Sequence, residues 1–233
     1  AAAAAAVYFR GSLTAAGALA AALLGFGVFY GGGLYFWALL MVFFVSSTLL
    51  TRLKEERKAP YESLTGKGGR RDLAQVLANG GVALAAALAY RLTGRGAGLL
   101  AYAGALAAAN ADTWASELGL LSRRQPVSIL TLRRARRGAS GAVSAVGLAA
   151  SLGGSVLVAA AFAAGAALRG LPARVLSLGF AAVAAAGFLG AIADSICGAA
   201  LQGRFLEAGR YSERRSDEAG APNTLTGGLA FVN

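Results

Sequence analysis

Histidine is absent from all 233 residues of the chain, and cysteine occurs once, at Cys197. The first absence removes Ser-His-Asp catalysis, a histidine general base and histidine metal ligands. The second removes an internal disulfide framework and a four-cysteine zinc site. Charge is scarce too: 14% of residues are Asp, Glu, Lys or Arg, where a soluble globular domain carries about 25%. Acids are the scarcer half, 11 against 22 basic residues, for a formal net charge of +11. In a soluble protein that balance suggests nucleic acid. Here 57% of residues are apolar and the mean hydropathy is +0.59. In such a chain the excess points to anionic headgroups or phosphorylated substrates, and no nucleic-acid partner is expected.

What the chain has in abundance is long apolar runs. Six blocks stand out, at Leu13–Tyr30, Leu34–Thr51, Leu73–Tyr90, Ala97–Leu121, Gly141–Leu168 and Val175–Leu201. The first three and the fifth contain no charged residue. Eighteen helical residues reach about 27 Å, close to the hydrocarbon thickness of a bilayer. The expected fold is therefore an all-α, polytopic transmembrane bundle of about six helices. A seventh precedes them if Ala1–Ala6 is the tail of a further helix. Residues 10–233 read as one integral membrane domain, with basic loops at 52–72 and 122–140 and a polar segment at 203–225. Small-residue stripes such as Gly187, Gly190, Asp194 and Gly198 suit close helix contacts in lipid. They serve contacts within one chain and in a homodimer equally well.

Loop charge sets the expected orientation. The loops after the second and fourth blocks and the tail after the sixth share one side, with 17 Lys and Arg against 5 on the other. The positive-inside rule places the basic side in the cytoplasm, in the inner or plasma membrane of a cell.

Polar groups inside the blocks are the informative residues, because an ionisable group in a membrane helix is expensive and tends to face an interior site. Only Asp112, Glu117 and Asp194 are acidic there, with Asp72 at the edge of the third block. All four fall toward the basic side. Asp72, Gln75 and Asn79 share one helix face at spacings of three and four. Asn110, Thr113 and Glu117 share another, beside a stripe of Asp112 and Ser116. The sixth block ends with Asp194, Ser195 and Gln202, and the fifth opens after Arg137-Gly138-Ala139-Ser140. Carboxylates and amide oxygens suit Mg²⁺, and Lys and Arg suit phosphate oxygens. Phosphoryl transfer is mostly positioning and charge neutralisation, so the missing histidine is no obstacle. The stretch Thr65-Gly66-Lys67-Gly68-Gly69-Arg70-Arg71 resembles a phosphate cradle but lacks the spacing of a P-loop. Other readings stay open. Asp72 also suits a first-turn helix charge, Glu117 an interfacial carboxylate, and any single Arg a topology determinant.

The string Asn110-Ala111-Asp112-Thr113-Trp114-Ala115-Ser116-Glu117-Leu118-Gly119 resembles the signature of the phytyl-phosphate kinase family, which has many uncharacterised relatives (domain of unknown function ninety-two). Gly68 to Asp72 with Gln75 to Gly80, Arg137 to Ser144, and Gly190 to Gln202 resemble its further blocks in order. The resemblance implies a membrane enzyme that phosphorylates an isoprenoid monophosphate, such as phytyl phosphate, to the diphosphate. CTP or another nucleoside triphosphate would be the donor, with distant kinship to dolichol kinase and CDP-lipid synthases. The residues carried over are Asp72, Asn79, Asn110, Asp112, Glu117, Arg137, Ser140, Asp194, Ser195 and Gln202. Many relatives have paired cysteines after the last helix, and residues 203–220 have none, so any metal-ribbon role there is lost.

The expected roles follow. Asp112, Asp194 and Glu117 hold Mg²⁺. Lys67, Arg70, Arg71 and Arg137, with Ser140, Ser195 and Gln202, bind phosphate or nucleotide. Asp72, Asn79 and Asn110 orient the headgroup or complete the metal shell, while the prenyl chain lies between helices and opens sideways to lipid. A CDP-lipid-type cytidylyltransferase or a prenyl alcohol kinase would use much the same groups. A transporter would want polar residues through the midplane and on both sides.

Overall fold

The computed structural model describes residues 13–53, 71–207, 210–217 and 220–230. It contains five helices: α1 (Ala15–Arg52), α2 (Leu73–Thr93), α3 (Gly96–Gly119), α4 (Ala145–Leu168) and α5 (Ala173–Leu201). Three of them begin on a side-chain cap that satisfies an otherwise orphaned backbone donor. Thr14 Oγ1 accepts from the Gly17 amide at 3.1 Å, Asp72 Oδ1 from Gln75 at 2.9 Å, and Ser144 Oγ from Gly147 at 3.1 Å.

A straight helix of the length of α1 would be about 57 Å long. Its two ends nevertheless meet. The Thr14 amide donates to the Arg71 carbonyl at 3.1 Å, and Arg71 Nη2 donates to Thr51 Oγ1 at 3.3 Å. The chain therefore doubles back, and the reversal is at Gly33, whose φ of 69° and ψ of −158° are open to glycine. The N-terminal arm lies parallel to α2, with Leu24 against Gly80 and Leu84 against Gly27. The C-terminal arm runs along α3. Phe36 stacks on Tyr102 at 4.4 Å, Ser47 bonds Asn110, and Thr51 bonds Glu117. Among the described residues the six apolar blocks thus become five helices, because the first two blocks are the arms of one bent helix.

By length and composition α1, α2, α4 and α5 can cross a membrane. Their outward faces leave Phe26, Leu92 and Leu168 at 72%, 85% and 91% exposure, which suits lipid and not water. The more polar α3 runs through the centre and packs against the other four helices. Tyr102, Leu106, Ala107, Asn110 and Ala111 are buried along it. It runs parallel to α5 and antiparallel to α4. Gly187 sits in the three-way seam, where an added Cβ would lie 2.7 Å from the Cβ atoms of both Ala107 and Ser155. Gly187→Ala must push α5 outward, which costs about 1–3 kcal/mol. Its Tm in detergent should fall by roughly 5 °C.

Two small sheets lie outside the helices. β1 (Val127–Ser128) pairs antiparallel with β2 (Ala142–Val143), pinning both ends of the loop between α3 and α4. After α5, β3 (Arg204–Glu207), β4 (Arg210–Ser212) and β5 (Thr224–Gly227) form an antiparallel sheet in the order β4-β3-β5.

Candidate functional site

The ends of α3 and α5 and the start of α4 come together at one pole of the bundle, around a cavity of about 520 Å³. The helix register explains which acids meet there. Gly190 of α5 packs on the Ala108 methyl of α3. One turn further along these parallel helices stand Asp194 and Asp112. Both line the cavity, together with Glu117, Ser195 and Gln202. Arg137 and Ser140 line it from the loop before α4.

That loop is shaped by two glycines with positive φ, Gly138 at 81° and Gly141 at 74°. Gly141 rests directly on Ala199 and the Ser195 carbonyl, so the loop is seated on α5. Arg137 Nη2 donates to the Arg123 carbonyl at 3.0 Å, tying the two halves of the loop together. The loop delivers the chain into Ser144, the cap of α4, and Ser144 and Gly147 line the cavity. A helix N-terminus presents amide donors and a positive dipole end, a ready site for a phosphate. Ser151, one turn deeper, is 2% exposed, and its Oγ has no hydrogen-bond partner among the described residues. It lines the same cavity. A buried hydroxyl without a partner suits a ligand oxygen or a bound water.

The loop is also held from the tail by Glu213, which is 1% exposed. Its Oε1 accepts from the Ser140 amide and its Oε2 from the Ser140 hydroxyl, both at 2.8 Å. Tyr211 donates to Oε1 at 2.6 Å. Burial and this bond to a carboxylate push the Tyr211 phenol up, so it keeps its proton. The sequence reading missed Glu213, because a glutamate followed by two arginines in a polar tail looks like any solvated charge. It also missed Ser151. The only available signal there was the Gly141, Ser144, Gly147, Ser151 stripe, which packing alone would explain. Glu213→Ala leaves the Ser140 amide and hydroxyl unpaired and should free the loop. We expect faster proteolysis at the Arg133–Arg137 cluster, with the helical content unchanged by circular dichroism.

Several expected site residues stand elsewhere. Asp72 is an exposed helix cap. Asn79 lines a different cavity with Arg71. Asn110 is fully buried between three helices: its Oδ1 accepts from Ser46 at 2.9 Å and Ser47 at 3.2 Å, and its Nδ2 donates to the Gly154 carbonyl at 2.8 Å. These bonds tie α1, α3 and α4 together. Lys67 and Arg70 lie outside the described residues. The expected metal set needs correcting. Among the described residues no three acidic, histidine or cysteine groups are placed to share one ion. Asp112 and Glu117 are five residues apart on α3, so they point about 140° apart. Glu117 instead accepts from Thr51 at 2.7 Å and lies close to Arg71. Burial lowers the Arg71 pKa, and the Glu117 charge works against that shift.

Comparison with known proteins adds the family. The chain matches the family described as integral membrane protein DUF92 over residues 1–233. It is 34% identical over 219 residues to Protein PGR of Arabidopsis thaliana, covering 84% of this chain and 74% of that protein. It is 33% identical over 143 residues to the uncharacterized membrane protein MJ0933 of Methanocaldococcus jannaschii, covering 61% and 58%. No solved structure matches the chain.

Proposed function

Because the chain belongs to the integral membrane DUF92 family, we propose that it is a Mg²⁺-dependent membrane phosphotransferase. It moves the terminal phosphoryl group of a nucleoside triphosphate, CTP by the resemblance noted above, to an isoprenoid monophosphate such as phytyl phosphate. The observation that supports this reading is that Asp112 and Asp194, from neighbouring helices, line one cavity together with Arg137 and the start of α4. Mg²⁺ usually takes one or two carboxylates and completes its shell with water and substrate phosphates. Two aspartates suit that pattern, and a third carboxylate is not needed. When bound, Mg²⁺ neutralises charge on the donor phosphates.

The chain's own groups do the rest. Arg137 and the amides at the start of α4 hold donor phosphate oxygens, and Ser195 and Gln202 orient them; Ser140, whose amide and hydroxyl both go to Glu213, shapes the loop instead. A new bond forms between an acceptor phosphate oxygen and the terminal phosphorus. The bond from that phosphorus to its bridging oxygen breaks, and the nucleoside diphosphate leaves with the electron pair. The acceptor oxygen is already anionic, so no general base is required, in keeping with a chain that lacks histidine. The basic side of the bundle, and with it this cavity, faces the cytoplasm in our reading.

The direct test incubates detergent-solubilised protein with labelled CTP or ATP, Mg²⁺ and a panel of prenyl alcohols and monophosphates. CDP with a lipid diphosphate supports the kinase; pyrophosphate with a CDP-lipid indicates a cytidylyltransferase. No Mg²⁺-dependent nucleotide turnover across the panel overturns both. A readout independent of turnover comes from Cys197, the chain's only thiol, which is exposed and lines the cavity. Mg²⁺ with CTP should slow its alkylation by a maleimide several-fold, while Mg²⁺ alone should not.

A further inference from the structure

The bundle contains a second cavity, of about 450 Å³, between the two arms of α1 and the first half of α2. Its volume falls within the ordinary range for small-ligand sites, roughly 300–1,000 Å³. Its walls are apolar, with Phe26, Phe29, Trp37 and Phe44 among them. Polar groups occur only where α2 begins: Arg71, Gln75 and Asn79. Phe26 and Phe29 are 72% and 50% exposed, so the apolar part opens toward lipid. Gly25 lies in the wall, and a Cβ built there meets nothing within 4 Å. The space exists only because α1 doubles back, and the site described above makes no use of it.

The Thr51 hydroxyl joins the polar end of this chamber to the first cavity. Thr51 Oγ1 accepts from Arg71 Nη2 at 3.3 Å and donates to Glu117 Oε1 at 2.7 Å. Arg71 lines the apolar chamber and Glu117 lines the phosphate cavity. An anionic headgroup on Arg71 would therefore stand beside the donor cavity, with its chain directed away along the arms of α1. We propose that this chamber is the binding site of the acceptor: a single-chain isoprenoid phosphate, its chain among the phenylalanines and Trp37 and its phosphate on Arg71, Gln75 and Asn79. A guanidinium has five donors, enough to keep Thr51 and still grip a phosphate through two of them. Gln75 and Asn79 add neutral donors that suit phosphate oxygens. One cationic end and one apolar slot fit a one-chain amphiphile. Glu117 then acts as a positioning residue, holding Arg71 through Thr51.

The assignment rests on the acceptor class proposed above, and its test must read binding apart from turnover. The probe is a diazirine-bearing geranylgeranyl phosphate, photolysed with the full-length protein in detergent. We expect the label on Phe26–Phe44, competed by unlabelled geranylgeranyl phosphate but not by equimolar phosphatidylglycerol. Gly25→Phe adds a ring to the wall at a position where the Cβ itself meets nothing, and should lower labelling at least tenfold. It should leave Cys197 protection by Mg²⁺ and CTP intact. If the protein is active, Gly25→Phe should raise KM for the C20 phosphate about tenfold, affect a C5 phosphate much less, and spare KM for the nucleotide. Label on α4 or α5, equal competition by the two-chain lipid, or unchanged labelling of Gly25→Phe each overturns the assignment. Correct labelling without any phosphoryl transfer sinks the kinase reading and leaves the binding site standing.

Discussion

Asp112→Asn and Asp194→Asn should each lower phosphoryl transfer by on the order of 10³-fold. Both carboxylates line the cavity from neighbouring parallel helices, and in the proposed mechanism a metal held by two carboxylates loses half its protein ligands with either change. Metal neutralisation of transferring phosphates supplies several kcal/mol, and each 1.36 kcal/mol is tenfold in rate. Asn matches Asp in size and keeps one oxygen, so Tm should move little and the far-ultraviolet spectrum not at all. The protection of Cys197 by Mg²⁺ and CTP should weaken in parallel with activity, because in the proposed mechanism the same ion holds the donor. Glu117→Gln makes the informative contrast. Its partner is Thr51, so it should raise KM for the acceptor more than it lowers kcat. If Asp112→Asn kept near-normal turnover with unchanged Mg²⁺ dependence, the two aspartates would not be metal ligands.

Asn110→Ala should have the largest effect on stability. The substitution leaves the hydroxyls of Ser46 and Ser47 and the Gly154 carbonyl without their shared partner in the middle of the bundle. Hydrogen bonds between membrane helices are worth about 0.6–2 kcal/mol each, and stranding buried groups adds to that. A total loss of about 2–4 kcal/mol corresponds to a Tm lower by roughly 5–15 °C. Activity per folded molecule should survive, measured well below the transition. A headgroup-orienting role for Asn110 demands the opposite pattern, lost kcat with stability retained. Asn110→Asp serves as a second variant: it keeps an acceptor for Ser46 and Ser47 but cannot donate to Gly154.

The motif around Asn110 thus mixes two kinds of residue. Asp112 and Glu117 line the cavity, Glu117 with its carboxylate on Thr51, whereas Asn110 ties the helices. All three stand out in a linear sequence for the same reason, as polar groups in an apolar run. Only their angles around α3 separate them, and an angle has meaning only once the neighbouring helices are known. The same holds for Asp72, where helix position favours the cap over the site. Glu213 shows the converse case. It lies 73 residues from Ser140, and nothing near it in the chain marks it as buried.

The sequence by itself determined the membrane bundle and the pole where polar groups gather. Those features follow from local quantities: apolar run length, loop charge and helical period act within a few turns. Tertiary structure alone decided that α1 folds back at Gly33, that Asp112 and Asp194 line one cavity, and that Glu213 clamps Ser140. It alone created the chamber ending at Arg71. Each of these depends on which surfaces of distant segments meet, and in lipid that choice is made by packing shape and scarce hydrogen bonds, since apolar side chains are equally content against one another or against acyl chains.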